Sequence, residues 1–199
     1  MSEASDAVAG VAHTVYLVRH GRTELNAAGL VRGRLDPPLD DVGRLQAQEL
    51  ARALSLVPVD EVVAGPLRRT IQTAQPIAHA SGAPLGVDVR FQDRDYGEWA
   101  GRSVEAVVTQ WGSLDDAPGV EPLAAVTQRA WEACEELADR LRSGLVVVVT
   151  HDAVIRALIT KWRHIDEGRQ PLTVDTASYT VVERLRREWR VLSIDNHVS

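Results

Sequence analysis

The sequence predicts an α/β three-layer sandwich, with a mostly parallel central sheet, helices on both faces and a small lid region. Three observations predict it. Strand-like and helix-like segments alternate along the chain. The run GLVVVVTH (Gly144–His151) is apolar until its last two residues, as a strand covered on both faces must be. The helical segments carry apolar residues three and four apart, one stripe each. At 199 residues the chain can bury one core without dividing. A single domain is therefore expected over residues 11–199, with 91–122 as a polar loop and lid. Residues 1–10 are small and acidic and are expected to fray.

The elements follow in order. HTVYLV (His13–Val18) is rich in β-branched and aromatic residues and reads as a central strand. The polar stretch after it, up to Leu39, contains Gly21, Gly29, Gly33 and Pro37–Pro38 and reads as a long functional loop. Leu39–Leu56 is helical, capped by Asp40 or Asp41, with Leu45, Leu50 and Leu54 on one side and Pro58 stopping it. A short strand, Asp60–Gly65, leads into a helix over Pro66–Ala80. Pro66 suits its first turn, and Pro76 should end or kink it. Ala83–Phe91 is a further strand and Ser103–Trp111 a small helix. The longest helix spans Pro122–Arg142, with Leu123, Val126, Ala130, Cys134, Leu137 and Leu141 in register. After the Gly144–His151 strand comes a helix, Ala153–Trp162. PLTVDTASYTVVERL (Pro171–Leu185) and EWRVLSID (Glu188–Asp195) close the chain as an antiparallel pair at an edge.

Composition excludes several functions. Hydrophobic residues make up 45% and charged residues 25%, an ordinary globular balance. The net charge of -6 argues against a nucleic-acid partner, which needs a basic face. No apolar run approaches a membrane span, and the first residues lack a basic start and an apolar core, so a cytoplasmic protein is expected. The one cysteine, Cys134, cannot form an internal disulfide and reads as a small core hydrophobe. Oligomeric state is undetermined at this level, and a homodimer is compatible with it.

Chemistry collects at the strand ends. His20 follows YLV and Arg19; His151 follows VVVVT. In a parallel sheet both would emerge at the carboxyl edge, where open α/β sheets bind ligands. Arg69, in the strand–helix unit VVAGPLRRTIQT, would join them. Arg19, His20, Arg69 and His151 make a sharply positive site within a negative protein. The natural tenant is a phosphoryl group, bound by charge-assisted hydrogen bonds from guanidinium forks. An unprotonated imidazole can also attack phosphorus, with arginines and a second histidine stabilising the transferred charge. The leaving oxygen then needs a proton, and QDRDYGEW offers Asp93, Asp95 and Glu98 as carboxyl donors. No metal signature is present, and arginines neutralise phosphate without one, so neither metal nor cofactor is expected. His13, His79, His164 and His197 lack comparable company.

LVRHGRTELN resembles the signature of the histidine phosphatase superfamily, which includes cofactor-dependent phosphoglycerate mutases and phosphatases. GRLDPPLDDVGRLQAQELA, GPLRRTIQTA, DRDYGEWAG, APGVEP and VVVVTHDAVIRAL resemble its further segments, in the same order, over residues 15–182. The resemblance implies that His20 becomes phosphohistidine and that Arg19, Arg69 and His151 hold the phosphoryl group. It adds Asn26 as a further phosphate contact, with Gly21 and Thr23 shaping the loop. Asp93 stands where the family has its catalytic Glu, one methylene shorter, with Asp95 and Glu98 as fallbacks. Asp152 replaces a common Gly. It is expected to border the phosphate pocket while capping the next helix, or else to orient a histidine or read a sugar hydroxyl. Gly65 replaces Ser, and Ala100 replaces the second Glu of the acid loop.

The expected activity is hydrolysis of a small phosphorylated metabolite. The 91–122 region is short and supplies Arg102 as its lid arginine, whereas a mutase must retain a doubly charged substrate. Arg22, Arg32, Gly33, Arg34 and Arg102 are candidate substrate contacts. Val104, Val107, Val108, Trp111 and Leu114 either wall an apolar cap or pack their own helix. The alternatives are a phosphoglycerate mutase and a catalytically weak phosphate-binding protein.

Overall fold

A computed structural model of the chain describes residues 12–141, 144–163, 172 and 174–198. Six strands form one sheet: Ala12–Arg19 (β1), Val59–Ala64 (β2), Leu85–Val87 (β3), Gly144–Thr150 (β4), Tyr179–Leu185 (β5) and Glu188–Asn196 (β6). Their order is β3-β2-β4-β1-β5-β6. β2 runs parallel to β3 and β4, and β4 parallel to β1; β5 is antiparallel to β1 and β6 to β5. The helices are Glu24–Ala27 (α1), Asp41–Leu54 (α2), Arg68–Ser81 (α3), Val104–Trp111 (α4), Leu123–Arg140 (α5) and Asp152–Arg163 (α6). None of the described helices is long and apolar enough to cross a membrane.

The period of two along β4 assigns the layers. Val147 and Val149 pack with Leu50 and Leu54 of α2 and Ala74 and Ile77 of α3. Val146 and Val148 pack on the opposite face, with Val126, Ala130 and Cys134 of α5 and Ile155 and Leu158 of α6. All four valines are buried, and each such burial contributes about 1.5–3 kcal/mol. The central strand is therefore clamped from both faces, as its uninterrupted apolar run requires. Cys134 is fully buried, and burial pushes its thiol well above the usual range. Trp131, Trp162 and Trp189 pack against the same core, the last two stacked at 4.7 Å.

Several local expectations are corrected. Leu45 is 59% exposed, because the stripe of Ala47, Leu50, Ala51 and Leu54 faces the sheet and Leu45 lies about 140° from Leu50 around the helix. α3 runs through Pro76 to Ser81. Thr73, Ala74, Ile77 and Ala78 are buried around the proline, and that packing outweighs the lost ladder bond, which costs about 3 kcal/mol. Pro66 precedes the helix, which is capped by Leu67 in an extended conformation, so Arg69 is the second helical residue. β3 covers three residues only, because Asp88 accepts the Arg90 backbone N–H at 2.9 Å and starts a 3-10 turn, Val89–Phe91. Of the Pro171–Leu185 segment, the strand begins at Tyr179; positions 171 and 173 lie outside the described residues, as do the 1–10 tail, His164 and Arg142.

The loop after β1 is not structureless. Thr23 and Asn26 form a reciprocal capping box around α1. A third, small apolar cluster joins Val31 to Tyr96, Val107 and Ala117, with Val104 and Leu114 packed on it. The apolar side of α4 is thus divided: Val107 packs inward, whereas Val108 and Trp111 stay partly exposed, Trp111 edge-on against Trp99.

Candidate active site

Neighbouring parallel strands bring both histidines to one place. Arg19 of β1 is registered with Thr150 of β4, and the His20 backbone N–H donates to the Thr150 carbonyl at 3.0 Å. The chain leaves both strands at the carboxyl edge, and the two rings meet edge-to-face at 5.2 Å. Each residue is only 1% exposed.

The hydrogen bonds set the state of His20. Its Nδ1 lies 2.7 Å from the Gly21 carbonyl, which can only accept, so Nδ1 carries the proton. Nε2 is then the lone-pair nitrogen, and the Arg69 Nε–H donates to it at 3.2 Å. Burial, reinforced by Arg69, His151 and Arg19, holds His20 well below the ordinary histidine value. Burial does the same to His151, followed by the charges of Arg69, Arg32, Arg129 and Arg19. Both rings are therefore neutral at neutral pH. Neither nitrogen of His151 has a hydrogen-bond partner among the described residues; the nearest acid is the Asp93 Oδ2, 3.6 Å from Nδ1.

Arg69 ties the centre together. Entering at the second residue of α3, it is fully buried. Its Nη1 donates to the Leu35 carbonyl at 2.7 Å and its Nη2 to the Gly33 carbonyl at 2.9 Å and the Asp93 Oδ2 at 2.9 Å. Burial lowers its pKa and Asp93 raises it, but an arginine starts so high that it stays charged. Asp93 uses its second oxygen to accept the Arg94 backbone N–H at 2.9 Å. The other two carboxyl candidates lie elsewhere. Asp95 pairs with Arg34 at 3.1 Å, and Glu98 is exposed.

The loop is held in place by close backbone approach. A Cβ on Gly21 would lie 2.6 Å from the Gly43 carbonyl oxygen, and one on Gly43 only 2.0 Å from the Arg22 carbonyl oxygen. The Gly21 N–H donates to Thr73 at 3.0 Å, and the Arg22 N–H donates to the Gln46 side chain at 2.8 Å. Asn26 gives its side-chain oxygen to Thr23, at 3.1 Å from the backbone nitrogen and 2.7 Å from the hydroxyl, which leaves its amide N–H groups for the cleft. That cleft, of about 490 Å³, is lined by Arg19, Arg22, Asn26, Arg32, Gln46, Asp175, Thr176 and His197, and the Gln46 amide donates to the Thr176 hydroxyl at 3.2 Å. Arg19 also bonds the Val174 carbonyl.

The remaining candidates separate. Asp152 is the first residue of α6 rather than its cap, and its carboxylate pairs with Arg156 at 3.2 Å. Its charge is still felt by Arg19. The side chain of Arg102 is exposed, and the residue joins the loop through its backbone, its carbonyl accepting the Val31 N–H at 2.8 Å. Gly33 contributes its carbonyl to Arg69 and a left-handed turn (φ 51°) against Tyr96. At Gly65 a Cβ would lie 2.6 Å from the Phe91 carbonyl oxygen, so this backbone has no room for the side chain the family commonly carries.

Four supporting residues escape a reading by strand ends. Gly43, Gln46 and Thr73 act on the loop through backbone contacts. Arg129 of α5 gathers the carbonyls of Arg90 (2.6 Å), Gln92 (2.7 Å) and Asp93 (3.2 Å) and pairs with Glu121 at 3.0 Å, which fixes the acid loop. Its signal was a charge lodged beside Val126 and Ala130 on an apolar stripe. His197 was set aside as lacking company. It lies 3.8 Å from Asp175 and 3.6 Å from Asp195 at the cleft mouth, the one cluster among the described residues with potential metal ligands. That cluster is separate from the buried pair of rings.

Known proteins share this arrangement of chain. The phosphoserine phosphatase 1 of Hydrogenobacter thermophilus is 32% identical over 190 residues, covering 90% of each chain. The phosphoglycerate mutase-like protein 4 of Arabidopsis thaliana is 32% identical over 162 residues, covering 75% of this chain and 70% of its own. The solved structure of Bacillus stearothermophilus YhfR superposes with a TM-score of 0.85 at 26% identity, covering 94% of this chain and all of that one. Residues 15–197 match the histidine phosphatase superfamily (branch 1), a span that includes both histidine-bearing strand ends and His197 of the cleft; the chain belongs to that family.

Proposed function

We propose that the chain is a metal-independent phosphomonoester hydrolase that acts on a small phosphorylated metabolite through a phosphohistidine at His20. The observation that carries this reading is the state of the His20 ring. Its Nδ1 proton is committed to the Gly21 carbonyl at 2.7 Å, and burial among cations keeps the ring neutral. Nε2 is thereby kept unprotonated inside a cationic pocket, where its lone pair accepts the Arg69 Nε–H at 3.2 Å until a phosphoryl group takes over that donor.

The phosphoryl group enters between Arg19, Arg69 and His151, whose N–H groups take the charge on its non-bridging oxygens. Asn26 adds an amide donor. Nε2 attacks phosphorus, the N–P bond forms, and the ester P–O bond breaks. The phosphomonoester enters with one proton on its phosphoryl group, which passes to the Asp93 carboxylate, held by Arg69 at 2.9 Å, and from it to the departing alkoxide. Asp93, again a carboxylate, accepts a proton from water as the water oxygen attacks the phosphohistidine, and returns it to the departing phosphate. The N–P bond breaks, its electron pair returns to Nε2, and inorganic phosphate leaves.

His20→Ala should lower hydrolysis of p-nitrophenyl phosphate by about four orders of magnitude or more, while a chelator leaves the wild type active. A His20→Ala protein of undiminished activity refutes the nucleophile. Asp93→Asn should slow an alkyl phosphate by about 10²–10⁴ and the activated aryl ester far less. An equal loss on both substrates refutes the proton donor.

A phosphoglycerate mutase would use the same four inner residues. Hydrolysis is favoured because the phosphatase relative aligns over 90% of this chain, against 75% for the mutase-like one. The short acid-loop segment also supplies little positive charge to retain a dianion. Phosphorus NMR of 3-phosphoglycerate incubated with the protein decides: free phosphate supports the hydrolase, and 2-phosphoglycerate supports the mutase.

A further inference from the structure

Gly65 follows β2 directly, and no left-handed φ calls for a glycine there. Space calls for it. A Cβ on Gly65 would lie 2.6 Å from the Phe91 carbonyl oxygen, whereas carbon and oxygen in contact stay about 3.3–3.6 Å apart. Neither backbone is free to step aside. The Gly65 N–H donates to the Val149 carbonyl at 3.0 Å, and its carbonyl accepts the Thr70 hydroxyl at 2.8 Å. The Phe91 carbonyl accepts the Thr150 hydroxyl at 2.8 Å, and the Phe91 side chain is fully buried. The acid loop is thus seated directly against the end of β2.

That seat lies two residues from Asp93. Between them the chain is held taut, because Arg129 Nη1 donates to the carbonyls of Arg90 at 2.6 Å and Gln92 at 2.7 Å. A displacement of the Phe91 carbonyl is therefore carried on to the carboxylate. Asp93 has no length in reserve. Its Oδ2 reaches the Arg69 Nη2 at 2.9 Å and stops 3.6 Å from the His151 Nδ1. An aspartate is shorter than a glutamate by one carbon–carbon bond, about 1.5 Å. A Cβ at Gly65 would push the loop back by about 0.7 Å or more, a large part of that length. The same Cβ would lie 3.5 Å from the His151 Nε2, an ordinary contact that leaves the phosphoryl pocket its room.

We propose that Gly65 is a positioning residue for the proton transfer: its missing side chain lets the Phe91 backbone close on β2, and that closure delivers the short Asp93 carboxylate to the leaving oxygen. Gly65 and Asp93 are a matched pair, and a longer acid fits only a loop that is seated less deeply. This rests on the phosphohistidine reading above and gives Gly65 no contact with substrate.

A double-mutant cycle on the whole chain tests it. Gly65→Ala, Asp93→Glu and the double variant are assayed on p-nitrophenyl phosphate, whose leaving group needs no proton, and on propyl phosphate, whose leaving group does. Each protein is first checked for a cooperative thermal transition. Gly65→Ala should lower kcat on propyl phosphate by about 10–100-fold and on the aryl ester by less than about threefold, with KM for both within about twofold of the wild type. Asp93→Glu should lose about tenfold or more on propyl phosphate, because the closed seat has no room for the longer side chain. The double variant should regain at least about tenfold over Gly65→Ala on that ester. An equal loss on both esters by Gly65→Ala, no loss on either, or a double variant no faster than Gly65→Ala overturns the pairing. Should Gly65→Ala fail to fold, Asp93→Glu decides alone: undiminished turnover of propyl phosphate overturns the pairing, and the tenfold loss supports it. His20→Ala, run alongside, separates the two readings. If it keeps the aryl activity, the nucleophile assignment fails. A wild type inert on both esters refutes the hydrolase, and the role of Gly65 falls with it.

Discussion

The inner pocket and the cleft mouth are built by opposite means. His20, Arg69, Asp93 and His151 are between 0 and 4% exposed, and each is positioned by strand ends, backbone carbonyls or a buried pair. At the mouth, the side chains of Arg22, Asp175 and His197 are 39%, 69% and 56% exposed and are held mainly by pairs among themselves and their neighbours. Buried groups cannot re-solvate when a partner is lost; exposed ones can. The difference teaches that errors inside should be large and errors at the mouth small, although both regions border the same cleft. Arg69→Leu is the strongest way to challenge that contrast. It removes a group proposed to hold the phosphoryl oxygens and leaves Asp93 buried without its cation. We expect kcat/KM to fall by about 10²–10³ or more, and stability to fall by about 3–5 kcal/mol in denaturant titrations. A loss confined to activity would mean that Asp93 rehydrates, and that the pocket is softer than its burial implies.

Acid sharpens the same contrast. His20 and His151 are held well below the ordinary histidine value, by burial first. The unfolded rings, with a value of about 6.5, take up protons before the folded ones do. Stability from these two rings is therefore fully present above about pH 6.5 and is lost as pH falls from there toward their folded values. The thermal midpoint should decline across that window. kcat/KM should hold through pH 6.5, and its acid limb should lie lower, because His20 keeps its lone pair. An acid limb centred at 6.5 or above would show that one of the rings is hydrated and belongs with the mouth.

Between the two regions runs the loop, and its tightest point is Gly43. The Cβ of Gly43→Ala would lie 2.0 Å from the Arg22 carbonyl oxygen, a backbone atom that cannot rotate away. A cost of about 1–3 kcal/mol is expected, read as a lower thermal midpoint. Activity should fall with it, since the same segment carries Arg19 and His20. An unshifted midpoint would show that α2 can slide along the loop without cost.

The inner pocket was legible because its information is local. A strand pattern followed at once by His20 or His151 assigns each histidine to the carboxyl edge, and strand pairing does the rest. The α/β class and the two helical layers were legible for a similar reason, since the uninterrupted apolar run of β4 requires cover on both faces. What escaped depends on contacts that no window contains. Arg22 and His197 line one cleft from opposite ends of the chain. They meet because β5 and β6 add an antiparallel edge beside β1, and the sequence does not announce which side that pair joins. Pro76 was expected to end or kink α3, and the first alternative fails because four buried residues around it hold the helix to the sheet as far as Ser81. Asp152 was misread by a single position, which is enough to turn a cap into the first residue of a helix.

The smallest expected effect belongs to Asp175, and it tests whether the mouth acts only through its charge. Asp175 lines the same cleft as Arg19, and its field reaches that arginine. Its side chain is 69% exposed, so water screens most of that field. Asp175→Asn removes the charge while keeping the shape, and it takes from His197 one of two acidic neighbours. An anionic substrate should then meet less repulsion, so KM should fall by about two- to threefold with kcat unchanged. Because the Debye length shrinks from about 30 Å at 0.01 M to about 3 Å at 1 M salt, the advantage should fade as salt is added. A tenfold change, or one that salt leaves intact, would mean that Asp175 touches the ligand directly. The mouth would then be part of the same rigid constellation as the inner pocket, and the division between the two regions would fail.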